Sequence, residues 1–209
     1  MASENYNVDF VVLEQSEKFT VDGYVPSCTA KSIKNKNPVC AGKSVGDAIG
    51  KSGVTIGTGV DLGQMNDYDL KRLKLPDHIY KTLKPYLGKR GAAAQKLAKL
   101  QLTSTDAKIL SDRIKDKIIS IIIKRYEDKS GKVFNSLSQN IQTAIVDYFY
   151  QYGQNSMLSD PHKNLWDSII NGNWEKAIDF LNEQTMYKER RKTEAELIKN
   201  STEYSGLKH

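Results

Sequence analysis

Apolar residues recur at helical spacing through the second half of the chain. A capping signal at 103–106 precedes four aliphatic residues at intervals of four, which are Leu110, Ile114, Ile118 and Ile122. This pattern is typical of a long packed helix. Periodicity or helix-forming composition predicts further helices at about 92–100, 137–152, 165–170, 174–181 and 187–199. Residues from 67 onward are therefore expected to be almost entirely helical.

The first third of the chain follows a different pattern. A short helix is predicted at 9–19, with an apolar side that includes Phe10, Val11 and Leu13. The stretch 20–64 is rich in Gly, Ser, Asn, Pro and Lys and contains one convincing strand, 53–60. Thr, Val and Ile separated by glycines suit an extended segment that other backbone approaches closely.

The length and composition are those of an ordinary globular protein. With 209 residues, 39% hydrophobic and 27% charged, the chain can bury its own core, and wholesale disorder is excluded. We therefore predict a single α+β domain over 1–209, with a β-containing lobe at about 20–64 and a helical lobe at about 67–200.

Positive charge is concentrated in the middle of the chain. The net charge is +6, but residues 71–132 hold 17 basic against 6 acidic residues, which is +11. Such a segment favours a polyanion: nucleic acid, an anionic membrane surface or an acidic cell-wall polymer. The alternative interpretation is a lysine-rich helical face with no partner.

The sequence lacks the signals of a metal site, a phosphate-binding loop, a membrane span and a signal peptide. The histidines, His78, His162 and His209, are scattered, and no Gly-rich phosphate loop precedes a helix. No apolar stretch is long enough to cross a bilayer, and the first residues lack the basic and apolar regions of a Sec signal peptide. We therefore expect no metal, no cofactor and no membrane span.

Cys28 and Cys40 both lie in the loop-rich stretch. No histidine is near them in sequence, so a thiol nucleophile is not favoured. Their separation of twelve residues allows one bridge. We predict that it forms in an oxidising compartment, because this Lys- and Asn-rich segment has little apolar content to order it.

Two carboxylates remain as candidates for chemistry. Glu14 follows the apolar run 10–13, so we expect it at the buried edge of the first helix. A partly desolvated carboxyl holds its proton more tightly and can donate it to a leaving group. Asp61 directly follows the strand and is placed to project into a cleft. The alternatives are a solvated surface glutamate and a turn or capping aspartate.

Three motifs in order resemble the active-site region of phage-type lysozymes: Leu13-Glu14, Gly23-Tyr-Val-Pro26 and Gly53-Val-Thr-Ile-Gly-Thr-Gly-Val-Asp61-Leu-Gly63. Those muramidases place a helix-terminal glutamate before a β-hairpin with a Thr-Ile-Gly-x-Gly strand. An aspartate six residues after the threonine is closer still to the bacteriocin pesticin and related toxin domains. The segments 142–153 and 190–197 are similar to the family's central helix and late Arg-Arg-x-x-Glu helix, so the resemblance covers about 10–198.

The resemblance implies a lysozyme-like fold, with a small β-hairpin lobe beside a larger helical lobe and an active-site cleft between them. It implies Glu14 as general acid, Asp61 as second carboxylate and Thr55 as the group that holds the attacking water. Two departures leave alternatives open. An inserted lysine-rich loop separates Glu14 from Thr55, and the aspartate usual between them is not clearly matched. Asp22 is therefore the runner-up to Asp61, and Glu17 is a weaker alternative to Glu14.

The implied activity is hydrolysis of the β-1,4 bond between N-acetylmuramic acid and N-acetylglucosamine in peptidoglycan. We expect a monomeric, inverting glycoside hydrolase, because a threonine hydroxyl beside the attack path suits a held water. The implied setting is an antibacterial toxin, effector, bacteriocin or phage endolysin that is secreted or reaches the periplasm or cell wall without a Sec signal. A cognate immunity or inhibitor protein is an expected partner.

Two other functions stay open. One is a chitinase- or chitosanase-type hydrolase, which shares the lysozyme-like architecture. The other is a non-catalytic domain that binds cell wall or polyanions. The presence of Glu14, Thr55 and Asp61 together argues against the second. A nucleic-acid partner rests on the +11 segment alone and is not expected.

Overall fold

The computed structural model describes residues 6–16, 19–97 and 99–206. Their helices are α1 (Phe10–Ser16), α2 (Ala30–Lys34), α3 (Asp67–Arg72), α4 (Asp77–Leu83), α5 (Gly91–Gln95), α6 (Ser104–Ser130), α7 (Gln139–Tyr152), α8 (His162–Ile170), α9 (Trp174–Glu183), α10 (Lys188–Lys199) and α11 (Thr202–Ser205). The strands β1 (Phe19–Tyr24), β2 (Thr55–Thr58) and β3 (Val60–Asp61) form one antiparallel sheet in that order. The predicted α+β class is confirmed.

The chain divides into two compact units. The sheet unit is Glu17–Ile114 and contains the three strands, α2 to α5 and the first residues of α6. The helical unit is Met1–Ser16 with Lys115–His209, and it contains α1, the rest of α6 and α7 to α11. The sequence places the β-containing lobe at about 20–64, whereas the sheet unit continues to Ile114 because residues of α3, α4 and α5 share its core. The single-domain assignment stays a prediction.

The core of the sheet unit is built around the β2–β3 hairpin. All four residues of β2 are buried, so this strand contacts other residues on both of its faces. Hairpin residues pack with leucines and isoleucines of the surrounding helices; the buried members include Val54, Ile56, Val60, Leu62, Leu70, Ile79, Leu83 and Leu110. A strand buried along its length needs small and apolar residues at every position, which explains why Thr, Ile and Gly do not alternate with charged residues here.

The first strand is a correction to the sequence prediction. The predicted helix extends to residue 19, but α1 ends at Ser16 and β1 begins at Phe19. In β1, Phe19 pairs with Thr58 and Tyr24 pairs with Thr55, with an irregularity between them. Short strands of mixed polarity carry a weak periodic signal, and their pairing partner decides their conformation.

The helix predicted at 92–100 is also shorter in the structure, because α5 ends at Gln95. The following backbone pairs with the first strand instead. Gly23 N donates to Leu100 O at 2.8 Å, and Leu102 N donates to Val21 O at 3.0 Å. These tertiary hydrogen bonds override the helix propensity of the alanine run.

The predicted disulfide is present in the sheet unit. Cys28 and Cys40 are bonded, with their Cα atoms 5.8 Å apart, and both side chains are buried. Cys28 is also tied to the next loop, since its N–H donates to Asp47 O at 2.8 Å. The bridge therefore fixes a stretch that has few apolar contacts of its own.

The helical unit packs around α7. Nine consecutive residues of this helix, Ile141 to Phe149, are buried. Aromatic and aliphatic side chains from the neighbouring helices surround them, including Leu13, Ile122, Tyr126, Trp166, Trp174 and Ile198. The long helix after the capping signal and the helices at 137–152, 165–170, 174–181 and 187–199 are confirmed, with ends that differ by a few residues.

None of the helices among the described residues combines the length and apolar character that a membrane span requires.

Candidate active site

Thr55 and Asp61 face each other across the tight β2–β3 hairpin. Their Cα atoms are register partners, as are those of Ile56 and Val60. Thr55 is only 4% exposed, whereas Asp61 is partly exposed. The single strand predicted at 53–60 is therefore corrected: the chain turns at Gly59, so Thr55 lies on β2 and Asp61 on β3. The pairing of the two strands brings a hydroxyl and a carboxylate together.

The two oxygens of the Asp61 carboxylate have different surroundings. Oδ1 accepts hydrogen bonds from the backbone N–H groups of Gly53 and Gly63, both at 2.9 Å. Oδ2 has only a long contact, 3.5 Å from Gln64 Nε2. Asp61 therefore does cap the short turn Leu62–Gln64, as the structural interpretation of this aspartate expects. The capping uses one oxygen and leaves the other without a short hydrogen bond to a described residue.

Gly53 and Gly63 must be glycines because their backbones touch. A Cβ atom on Gly53 would lie 2.5 Å from Gly63 Cα and 2.4 Å from Lys89 O. A Cβ atom on Gly63 would lie 2.7 Å from Gly53 Cα and equally close, 2.7 Å, to Lys89 O. These distances are far shorter than van der Waals contact. The two amides that bind Asp61 are therefore held by close backbone packing that no other residue type permits.

Among the described residues, the Thr55 hydroxyl has one weak partner. Its Oγ1 donates to Gly53 O at 3.4 Å, a distance at which the hydrogen bond is poor. A hydroxyl can donate one bond and accept two, so most of the capacity of Thr55 is unused by this contact.

The turn of the hairpin is attached to the long helix. Gly57 has a φ of +64°, a conformation suited to glycine, and an added Cβ would lie 2.5 Å from Ser111 Oγ. The N–H of Thr58 donates to Ser111 Oγ at 3.0 Å, and that hydroxyl donates to Ala107 O. This contact with α6 fixes the hairpin that carries Thr55 and Asp61.

Glu14 lies in the helical unit, near the end of α1. Two hydrogen bonds fix the start of this helix on α7: Asp9 N donates to Thr143 Oγ1 at 2.9 Å, and Asn7 N donates to Gln142 Oε1 at 2.6 Å. Leu13 is buried, as the apolar run predicts. The burial expected for Glu14 itself is wrong, because 54% of its side chain is exposed.

The carboxylate of Glu14 is ion-paired with a buried lysine. Lys115 Nζ is 2.8 Å from Glu14 Oε1, and the lysine side chain is only 7% exposed. The same ammonium lies 5.3 Å from the ring centre of Phe10. A buried ammonium needs such partners, so Glu14 is positioned by a cation that the sequence analysis did not identify.

The alternative acids have other surroundings or are not described. Asp22 is exposed on β1, and its Oδ1 accepts from Gln101 Nε2 at 3.0 Å. Glu17 and His209 lie outside the described residues. His78 pairs with Asp106 at 2.9 Å, and His162 Nδ1 is 2.7 Å from Tyr148 Oη. In the described part of the chain, no three His, Cys, Asp or Glu side chains gather in a way that could hold a metal ion.

A buried ion network in the helical unit joins α10 to α7. Arg190 binds the buried carboxylate of Asp147 through two bonds, Nε to Oδ2 at 2.9 Å and Nη2 to Oδ1 at 2.8 Å. Arg191 Nη2 is 2.6 Å from Glu194 Oε1 and also donates to Gln151 Oε1 at 2.7 Å. The guanidinium of Arg191 stacks on Tyr148, 4.4 Å from the ring centre.

Glu194 is the member of this network whose charged form is disfavoured by burial. It is fully buried, and neither of its oxygens accepts a well-formed hydrogen bond. Burial raises the pKa of Glu194 well above its usual range, and the nearby charge of Arg191 offsets this only in part. The sequence signalled this network only as the late Arg-Arg-x-x-Glu motif, since periodicity does not reveal which charged residues of a helix become buried.

Comparison with known proteins places the hairpin in a family. Residues 40–175 match the family described as "Pesticin: Bacterial toxin homologue of phage lysozyme, C-term". This segment includes Thr55, Asp61 and the glycines that hold them, whereas Glu14 and Glu194 lie outside it. A search of curated proteins found no match. Since the matched segment is more than half of the chain, the chain belongs to the Pesticin family of bacterial toxin homologues of phage lysozyme.

Proposed function

We propose that this protein is a muramidase: an antibacterial toxin that hydrolyses the β-1,4 bond between N-acetylmuramic acid and N-acetylglucosamine in the bacterial cell wall. The observation that carries the proposal is the Thr55–Asp61 pair inside the family segment. Its carboxylate is anchored through one oxygen, while the other has only a long contact. Membership in a family of lysozyme homologues supports the substrate class.

In this proposal Asp61 acts on water. Two backbone amides hold Oδ1, so the carboxyl group is fixed while its second oxygen stays available to accept a proton. Oδ2 then accepts the proton of a water molecule as that water attacks the sugar carbon. A base that is held in place before the substrate arrives removes part of the entropic barrier of the reaction.

Glu14 gives its proton to the leaving glycosidic oxygen. A glycosidic bond breaks through an oxocarbenium-like state, and a carboxylic acid beside the leaving oxygen lowers that barrier. Bound substrate would cover the 54% of the Glu14 side chain that is exposed and exclude water from it. Lys115 stabilises the carboxylate after the proton has left.

Thr55 orients the attacking water, and the reaction inverts the anomeric carbon. The Thr55 hydroxyl has unused hydrogen-bonding capacity and lies opposite Asp61 in the hairpin. A water held between a base and a hydroxyl attacks the sugar face opposite the leaving group. A β-linked substrate therefore gives an α-anomeric product first.

Product analysis tests the proposal. Purified peptidoglycan is incubated with the protein, and mass spectrometry identifies the sugar at each new reducing end. We expect N-acetylmuramic acid at that end, with the α anomer seen by NMR at early times. A new N-acetylglucosamine end would indicate a different bond, and an early β anomer would contradict inversion.

Variants connect the activity to the residues. Glu14→Gln should lower the rate by about a hundred- to ten-thousand-fold, which is the usual contribution of a general acid. The amide oxygen of Gln can still accept from Lys115, so the fold should persist by circular dichroism. If Glu14→Gln keeps near-native activity while Glu17→Gln loses it, the acid is Glu17 and not Glu14.

The other functions make different predictions for the same assays. A chitinase- or chitosanase-type enzyme would release products from soluble chitin or chitosan oligomers faster than from peptidoglycan. A domain that only binds cell wall or polyanions would release nothing, and its binding would survive Glu14→Gln while falling steeply with salt.

A further inference from the structure

The loop 88–91 packs directly on the two glycines that hold Asp61. The carbonyl oxygen of Lys89 occupies the space beside both Gly53 and Gly63, where an added Cβ atom would lie 2.4 Å and 2.7 Å from it. Gly91 N donates to Ser52 O at 2.8 Å, and Gly88 N donates to Leu62 O at 3.1 Å. The loop is therefore bonded to the hairpin segment on both sides of Asp61.

This loop places two cations beside the hairpin. Lys89 is exposed, and it has no hydrogen-bond or ion-pair acceptor among the described residues for its ammonium. Arg90 is exposed as well, and its Nε donates to Gly63 O at 2.7 Å. That bond fixes the guanidinium next to the amide that binds Asp61. The two Nη groups of Arg90 have no acceptor among the described residues, so they can bind a carboxylate.

The surrounding sequence contains no acid that would neutralise these cations. Between Asp77 and Asp106 there are six lysines and arginines and no aspartate or glutamate. Lys81 and Lys84 within this stretch form ion pairs with acids of α3 and α4, whereas Lys89 does not. An unpaired cation in such a stretch attracts anions strongly.

We propose that Lys89 and Arg90 bind a carboxylate that the substrate carries beside the bond to be cleaved. This inference rests on the proposed function. In peptidoglycan every second sugar carries a lactyl group, whose carboxylate is either free or extended into a stem peptide with carboxylates of its own. Chitin has no such group. The loop 88–91 thus makes the enzyme selective for carboxylated glycans over neutral ones.

The experiment compares substrates that differ only in charge. The first is a glycan strand with intact stem peptides, and the second is the same strand after the peptides are removed, which frees the lactyl carboxylates. In the third, those carboxylates are converted to neutral methylamides. The ratio of kcat/KM between the second and third substrates measures recognition of the lactyl carboxylate. The first substrate reports the carboxylates of the stem peptide.

Lys89→Ala should lower kcat/KM about three- to fivefold on the free-carboxylate strands, the range expected for one exposed ion pair. It should leave the methylamide strands unchanged, and Lys89→Arg should restore the wild-type ratio. A loss confined to the peptide-bearing strands would move the contact from the lactyl group to the stem peptide. An equal loss on charged and neutral strands, or no loss on any strand, would overturn the proposal.

Lys96→Ala is the matched control. Lys96 is an exposed lysine of the same acid-free stretch, but no contact ties it to the Asp61 hairpin. Its removal takes away the same charge and should leave the ratio between charged and neutral strands unchanged. If Lys96→Ala lowers the ratio as much as Lys89→Ala, the overall positive charge of the acid-free stretch causes the selectivity. The loop 88–91 then makes no specific contact, and the proposal fails.

A binding measurement separates this inference from the proposed function. The affinities of Glu14→Gln and of Glu14→Gln with Lys89→Ala are measured by calorimetry for a muramic-acid tetrasaccharide and its methylamide. Wild-type protein that cleaves no strand contradicts the muramidase, while preferential binding of the charged tetrasaccharide still supports the loop. Cleavage by wild type with equal binding of both tetrasaccharides contradicts the loop alone.

Discussion

In the proposed mechanism Asp61 has both a structural and a chemical role. Its Oδ1 closes the turn through Gly53 and Gly63, and its Oδ2 has only a long contact within the described part of the chain. A capping aspartate and a catalytic aspartate are usually treated as alternatives. Here the two oxygens permit both, because an anchored carboxylate loses little freedom when it acts on a water.

Two substitutions at Asp61 separate these roles. Asp61→Asn keeps an oxygen that accepts from both glycine amides, so the free energy of unfolding should change by less than about 0.5 kcal/mol while hydrolysis falls at least about a hundredfold. Asp61→Ala removes both roles and should also destabilise the protein, by about 1–3 kcal/mol. Urea unfolding and product release measure the two effects.

The opposite pattern would reassign this residue. Near-native hydrolysis by Asp61→Asn would make Asp61 a cap only. Asp22 would then be the second carboxylate, and Asp22→Asn should be inactive. Asp22 binds Gln101 through one oxygen, and an asparagine keeps that bond, so this variant also changes the charge more than the fold.

At the scale of elements, helix α7 begins with a cap that comes from a distant part of the chain. Glu203 in α11 accepts from Ser138 N at 2.5 Å and from Ser138 Oγ at 2.6 Å, just before the helix starts. Partial burial works to raise the pKa of Glu203, but the hydrogen bonds from Ser138, from the Glu203 backbone N–H and from Thr202 together hold that pKa below its usual range. An anionic cap stabilises the start of this buried helix.

Glu203→Gln should therefore destabilise the protein in a pH-dependent way. A pKa that is lowered by folding gives stability that is present above the unfolded value, near 4.5, and is lost as the pH falls through the folded value. We expect a loss of about 1 kcal/mol at pH 7 that disappears on acidification. Thermal or urea unfolding across this range measures it, and a loss of the same size at every pH would contradict the assigned cause.

At the scale of the whole molecule, the buried charges of the helical unit and the capping carboxylate of Glu203 affect the pH dependence of stability in opposite directions. Two arginines and two acids lie together between α7 and α10, and Glu194 is the one whose burial raises its pKa. A raised pKa gives stability that is present below the unfolded value, near 4.5, and is lost as the pH rises through the folded value. Glu194 and Glu203 therefore change stability with pH in opposite directions.

Glu194→Gln tests the sign of this effect. The variant is a permanent neutral side chain, so its free energy of unfolding relative to wild type should increase as the pH rises from 4 to 8. Glu183→Gln is a suitable control, because Glu183 is exposed at the end of α9 and should show no such trend. A relative stability of Glu194→Gln that falls with rising pH would mean that the Arg191 ion pair dominates over burial.

Features that depend on residues close in sequence could be predicted before the fold was known. The helices of the second half follow from periodicity, and the buried extended segment that carries Thr55 follows from its glycine spacing. The single strand predicted at 53–60 is divided by a turn at Gly59, and the pairing of Thr55 with Asp61 is a result of that turn. The bond between Cys28 and Cys40 is predicted from the sequence only for an oxidising compartment, because a separation of twelve residues allows a bridge without requiring it.

Features that depend on residues distant in sequence could not be predicted in this way. Pairing with β2 made β1 a strand, and backbone hydrogen bonds to β1 near residue 100 replaced the end of the helix predicted at 92–100. Lys115 became the buried partner of Glu14. Apolar periodicity shows which face of an element is buried, but it carries no information about which charged groups meet there. The placement of Lys89 beside Gly53 and Gly63 is of this kind, because a loop's contacts are set by the elements against which it packs.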